Sequence, residues 1–163
     1  MRLRLFLGII LAAPVSIVTG VFYIIPFWLL GWHKYIGVKT STTGNSPLGT
    51  GCAWVLNETR APKWLLKCWA NWGGHCVGSW VVLKKDPIKN TTLNHELHHV
   101  HQMHTLGFLQ PIFYMFSSLT AIAAGEEGYV TNHFEIAARR AANQVTDAKS
   151  FAQGYAWCSK SHK

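Results

Sequence analysis

His95-Glu96-Leu97-His98-His99 puts two imidazoles four residues apart, with a carboxylate beside the first. On an α-helix, positions i and i+4 lie about 40° apart around the axis, so His95 and His99 share one face. Two neutral imidazole nitrogens on one face can hold a divalent ion such as Zn²⁺. Glu96, about 100° round from His95, can take a proton from a water held at that ion. Gln102 falls on the same face, whereas His98, His101 and His104 turn progressively away. The chemistry implied is metal-assisted hydrolysis. The competing reading is a His-rich tract that handles metal loosely and does no chemistry.

A catalytic zinc needs a third protein ligand and keeps its fourth position open. A third histidine six residues after the second would fall at position 105, which is Thr, with Gln102 where that pattern requires Gly. A carboxylate must come from seven acids: Glu58, Asp86, Glu96, Glu126, Glu127, Glu135 and Asp147. Glu135 opens a helix whose same-face neighbours, Ala138 and Ala142, are small enough for close approach to the motif helix. Glu126 and Glu127, in a Gly-flanked loop, are the alternative. An acid in a first helical turn is also ordinary, because the helix dipole favours it, so residue chemistry alone leaves the choice open.

The elements around the motif follow from local pattern. Ser79–Lys84 is β-prone, could pair by its edge with an extended substrate peptide, and ends at Asp86-Pro87; Thr91 or Thr92 can cap a helix from about 92 to 105. Residues 106–125 carry no charge and are interrupted by Pro111 and Ser117-Ser118; a final helix is expected over about 132–152. Leu5–Trp32 is 28 residues without a charge, enough to cross a bilayer once with tilt, bent at Pro14 and Pro26. A re-entrant hairpin is the alternative; a cleavable signal peptide would have a shorter apolar core. Trp28, Trp32, His33 and Tyr35 suit an interfacial belt, and Arg2 and Arg4 favour an N-terminus inside, placing the site outside the cytoplasm. Residues 40–51 read as a linker, and 62–72 as a Trp-rich amphipathic helix. The expected fold is mainly α with a small β element (α+β). Residues 1–36 would be the hydrophobic anchor, 37–78 the linker and Trp-rich helix, and 79–163 the metal-binding domain.

Composition agrees with membrane association. Only 13% of residues are charged against 49% hydrophobic, so contact with lipid or another protein is expected. The net charge of +8 is scattered rather than patterned, which suits anionic membrane or wall polymers and not nucleic acid. Cys52, Cys68, Cys76 and Cys158 contain no C-x-x-C pair, so the spacing argues against a zinc knuckle; two disulfides or four reduced thiols both remain open.

The run His95-Glu-Leu-His-His-Val-His-Gln102, then Leu106-Gly107-Phe108, Pro111 and Tyr114, then Gly128-Tyr129-Val-Thr-Asn132-His-Phe134-Glu135-Ile-Ala137, resembles a group of small bacterial proteins. These look like minimal relatives of the gluzincin zinc metallopeptidases. The resemblance covers about residues 79–145, with His133 where Pro is frequent, and does not extend to the first 78 residues. It implies His95, His99 and Glu135 as zinc ligands and Glu96 as the catalytic base. Gln102, His98, His101 and Tyr129 are then candidates to stabilise an oxyanion or support the ligands. If Glu135 reaches the same ion, residues 106–125 must leave and return on one side, as a buried or interfacial helix and not a complete crossing. The expectation is a membrane-anchored zinc metallopeptidase acting on a peptide or protein. Its rival is a non-enzymatic component of a secretion or injection machine, or of a virus particle, that keeps the zinc site as scaffold.

Overall fold

The structure, a computed structural model, describes residues 2–40, 52–58, 62, 73–84 and 90–144. Within these the fold is mixed α+β, a four-stranded sheet with helices on both faces. The expected linker over 41–51, the Trp-rich helix over 63–72 and the chain beyond 144 lie outside the described residues.

Helix α1 (Arg2–Thr19) runs through Pro14 into a π-helical segment, Gly20–Ile24, and then α2 (Ile25–Leu29). Pro26 lacks an amide hydrogen and crowds the carbonyl four residues earlier, and the wider π-turn just before it accommodates both. Accordingly the Ile25 amide donates to Gly20, five residues back. Phe6–Leu29 has a mean hydropathy of 2.2 over 24 residues, long and apolar enough to cross a bilayer. It is also packed on the rest of the fold through a stripe of small residues, Gly8, Ala12, Ser16 and Gly20. The Ser79 amide donates to Ser16 Oγ (2.9 Å), and Trp80 Nε1 donates to the Ser16 carbonyl (2.8 Å).

Strands β1 (His33–Thr40), β2 (Cys52–Glu58), β3 (Gly74–Val77) and β4 (Trp80–Leu83) lie in the order β1-β2-β4-β3. β1–β2 and β3–β4 are antiparallel and β2–β4 is parallel. The boundary expected at 78/79 therefore runs through a single sheet, because β1, β2 and β3 precede it and β4 follows. His33 also departs from expectation: it is 3% exposed, stacked edge-on to Tyr23, rather than part of an interfacial belt.

Side chains alternate along β4. Val81 and Leu83 face one side, where they join Ala53, Val55, Leu97 and Val100 in the main core. Val82 faces the other, with Leu56, Ile24, Tyr23 and Trp80. Leu97 and Val100 belong to α3 (Asn90–Leu106), the motif helix, so the apolar side of that helix is what fixes it beneath the sheet. The helix starts slightly ahead of Thr91 and Thr92, which lie in its first turn.

At Gly107 (φ +62°) the chain turns through a 3₁₀ segment into α4 (Gln110–Ala123). A Cβ at Gly107 would sit 3.0 Å from the Leu11 carbonyl oxygen, so glycine serves here both for the left-handed backbone and for the close approach of α1. Pro111 occupies the first turn of α4, where its missing amide costs nothing. Ser117-Ser118, expected to interrupt this segment, lie inside the helix. α4 is not a buried helix either: Ser117 and Ala121 are buried, but Phe113, Phe116 and Ile122 are exposed. Helix α5 (His133–Ala141) is capped by Asn132, whose side-chain oxygen accepts from the Phe134 amide (2.8 Å). It ends well short of 152, because Asn143 takes a left-handed conformation (φ 54°) and turns the chain.

Candidate metal centre

Two helices and the turn after the second build the site. α3 supplies His95 and His99 from successive turns, and α5 supplies Glu135 from its first turn. Ala138 and Ala142 are completely or nearly buried, which lets α5 pack directly on α3, as their size suggested. His95 Nε2 and His99 Nε2 lie 3.1 Å apart. Glu135 Oε2 is 3.3 Å from His95 Nε2, and Oε1 is 3.3 Å from His99 Nε2. His95, His99 and Glu135 thus form a buried group that could hold a metal ion.

The hydrogen bonds behind the imidazoles say what sits in front of them. His99 Nδ1 is 2.8 Å from Gln102 Oε1, and Gln102 Nε2 donates to the Phe134 carbonyl (3.0 Å), which fixes the orientation of that amide. His95 Nδ1 is 3.1 Å from Gln144 Oε1, whose Nε2 faces the Thr91 carbonyl. Amide oxygens only accept, so both Nδ1 atoms carry a proton, and the lone pairs of the rings left for a metal are those of the two Nε2 atoms, which face each other and a carboxylate. Three electron-rich atoms converging in a buried space repel one another unless a cation lies among them. Their separations suit Zn²⁺: ligands about 2.0–2.1 Å from a tetrahedral ion stand roughly 3.3–3.4 Å apart. Burial alone would lower the His99 pKa and raise that of Glu135. Their mutual contact reverses both, so His99 is raised and the Glu135 carboxyl is held far below its usual range. The pocket therefore favours positive charge at this point.

Glu135 is further held by Tyr114 of α4, whose hydroxyl donates to Oε1 (2.8 Å), and by Arg139, whose Nη1 is 3.8 Å from Oε2. Arg139 is 2% exposed, and its other nitrogen donates to the Val130 carbonyl. Sequence reasoning missed Gln144 and Arg139. Arg139 stands four residues after Glu135 on one helix face, a spacing that was there to be read. Gln144 is placed by the left-handed turn at Asn143, beyond the end of the helix that carries Glu135.

Glu96 is 6% exposed and lines a cleft of about 470 Å³ together with the His95, His99 and Glu135 side chains. Burial raises its pKa, which the two histidines partly offset. Among the described residues its carboxylate has no hydrogen-bond or ion-pair partner, so it is free to accept a proton. Gly74 lets the sheet come close: a Cβ there would lie 2.8 Å from Leu83 Cδ2 and 3.4 Å from Glu96 Cγ. The wall of the cleft beside Glu96 is β3, the edge strand. β4, expected to offer its edge to a substrate, is paired on both sides and cannot.

The remaining candidates divide. Gln102 supports His99, and Tyr129 lines the cleft. His98 and His101 line a separate groove with His133 and Phe134, away from the ion site. Glu126 and Glu127 are exposed in the turn after α4 and lie outside the ligand group. Cys76, beside Glu96 in the cleft, is a free thiol whose pKa burial raises; the side chains of Cys52, Cys68 and Cys158 lie outside the description.

The chain matches no protein-family model, no curated protein and no solved structure. The site's geometry and chemistry must carry the functional reading on their own.

Proposed function

We propose that this protein is a membrane-anchored zinc metallopeptidase of gluzincin-like design. The observation that carries the reading is the unpaired, buried Glu96 carboxylate beside a three-donor site, in a cleft walled by β3, which among the described residues has no strand paired on its outer side. His95, His99 and Glu135 would hold the zinc, with Gln102, Gln144 and Tyr114 keeping them in place. Zinc in such a site acidifies a bound water and polarises a carbonyl. Glu96, its affinity for protons raised by burial, accepts a proton at its carboxylate and returns it to the leaving amine. Tyr129 can orient the substrate carbonyl from the opposite wall.

The free edge explains how a peptide would be held. The Lys84 amide donates to the Gly73 carbonyl, so by antiparallel alternation 75/82 and 77/80 are the other bonded pairs. The main-chain groups of Gly74 and Cys76 then point away from β4, along the cleft. An extended peptide can add there as a further strand, its backbone running past Glu96. Phe6–Leu29 would anchor the protein, and Arg2 and Arg4 would put the cleft on the extracytoplasmic side.

The test is made on purified full-length protein in detergent. About one zinc per chain is expected, lost on His95→Ala or Glu135→Ala; Glu96→Gln should keep the zinc and abolish cleavage of a peptide library. Cleavage by Glu96→Gln at the parent rate would refute the mechanism. Zinc without turnover would favour the scaffold reading instead.

A further inference from the structure

Helix α4 is inside out. On a helical projection Tyr114, Ser117, Ser118 and Ala121 fall within an arc of about 100°. That arc faces the protein, where every polar group in it is engaged. Tyr114 donates to Glu135, Ser117 Oγ accepts from the His133 amide (2.9 Å), and Ser118 Oγ accepts from Asn132 Nδ2 (2.8 Å). The opposite arc, about 180° wide, carries Ile112, Phe113, Met115, Phe116, Leu119 and Ile122, each between 43% and 59% exposed. Thr120, the one hydroxyl on that side, donates back to the Ser117 carbonyl of its own helix (2.9 Å) and asks nothing of its surroundings. A helix in contact with water has the reverse arrangement.

The same inversion holds in α1 and its continuation. Small residues and Ser16 face the protein while Phe6, Ile10, Ile17 and Phe22 face out. α1 packs on the 3₁₀ turn that leads into α4, where Gly107 abuts Leu11 and Phe108 and Leu109 are exposed. No charged residue occurs in either Leu5–Trp32 or Leu106–Gly125. Fourteen residues make α4 about 21 Å long, short of the ~30 Å hydrocarbon core, and both its ends return to the protein. It can lie in one leaflet but cannot cross. Val15 of α1 and Gln110, Pro111 and Tyr114 of α4 line the cleft that holds Glu96, so both helices contribute to its wall.

We infer that α4 rests in the lipid bilayer beside α1, so that the cleft opens at the membrane surface and receives peptide segments anchored in that membrane. The lipid contact stands on the helix faces alone; the substrate class rests on the peptidase reading above. Bilayer lipid is favoured over a second copy of the chain because exposed Phe108 and Leu109 lead from the apolar arc of α4 to the turn on which α1, part of a segment long enough to span a membrane, is packed.

Full-length protein in phosphatidylcholine vesicles containing phosphatidylglycerol is labelled with a lipid-soluble diazirine and, separately, with a water-soluble one, and adducts are mapped by mass spectrometry. The lipid-soluble probe should modify Gln110–Ala123 at a density within about threefold of that on Phe6–Leu29, with the water-soluble probe excluded from both. Modification of α4 by the water-soluble probe alone would overturn the inference, as would protection from both, which would mark a second copy of the chain on that face. In the same vesicles one peptide sequence is offered free and fused to an apolar membrane anchor, and only the anchored form should be cleaved. Equal cleavage of both overturns the substrate class. Lipid labelling of α4 with cleavage of neither upholds the lipid contact and removes the peptidase reading.

Discussion

The orientation of His99 rests on one amide, and replacing it separates ligand support from general packing. Gln102 makes two bonds: its oxygen accepts from His99 Nδ1 at 2.8 Å, and its nitrogen donates to the Phe134 carbonyl at 3.0 Å. Gln102→Leu keeps the volume and removes both. Loss of a partner behind a ligating imidazole typically lowers metal affinity 10–100-fold, or about 1.4–2.7 kcal/mol. Leaving a buried ring N–H unsatisfied costs the metal-free fold a further ~1–3 kcal/mol. Gln102→Glu divides the two effects, since a carboxylate still accepts from His99 but has nothing to donate to Phe134. It should hold zinc within a few-fold of the parent while melting earlier.

Gln144 gives the internal comparison. Its contact with His95 is longer (3.1 Å) and its amide nitrogen is 3.4 Å from the Thr91 carbonyl, an exposed bond. Gln144→Leu should therefore cost less than tenfold in affinity. The assay is competition for zinc against a chromophoric chelator, with thermal melts of each variant with and without metal. Zinc affinity within about twofold of the parent in Gln102→Leu would refute the assignment of this amide as the group that holds His99 for the ion.

Three further outcomes follow from the packing. Asn132→Ala removes, from a completely buried side chain, the cap on Phe134 and the donors to Tyr114 and Ser118, and should lower stability by about 2–3 kcal/mol in chemical denaturation, with Asn132→Asp restoring only the cap. Gly107→Val places a branched side chain at φ +62° against the Leu11 carbonyl, and a loss of about 2 kcal/mol or more is expected, read as a lowered melting temperature. Burial holds the His33 pKa down at about 4 against an ordinary 6.5, so the unfolded chain takes up that proton first. The stability contributed by the neutral ring is whole above pH 6.5 and is lost as pH falls from 6.5 to 4, by up to about 3 kcal/mol. His33→Phe should flatten the stability–pH curve across that window, and an unchanged slope would contradict the burial argument.

The grouping of His95, His99 and Glu135 was legible because each signal was local. Periodicity put His95 and His99 on one face, and the acid inventory together with the resemblance pointed to Glu135, with Ala138 and Ala142 marking the contact face of its helix. What was illegible depends on partners distant in sequence. β1 and β2 are held in the sheet by pairing with each other and with β4, and nothing within His33–Thr40 announces this. The edge was assigned to β4 because hydropathy identifies a strand without saying which neighbours it will have. Ser117-Ser118 was read as a helix interruption, yet with Tyr114 and Ala121 it repeats at i, i+3, i+4 and i+7, the spacing of a helix face. Its polarity is the reverse of a water-soluble helix, which is why the serine pair looks like a break in sequence.

That reversal ties the apolar surface to the metal centre. Tyr114 touches Glu135 directly, and Ser117 and Ser118 hold His133 and Asn132 at the start of the helix that carries it. The ligand from α5 is thus oriented by the inner face of a helix whose outer face carries six large apolar side chains. A soluble fold would have to cover that outer face with more protein. Placing the apolar arc in lipid accounts for both faces at once. The inner arc is polar because it supports Glu135 and the α5 cap, and the outer arc is apolar because of the medium it meets.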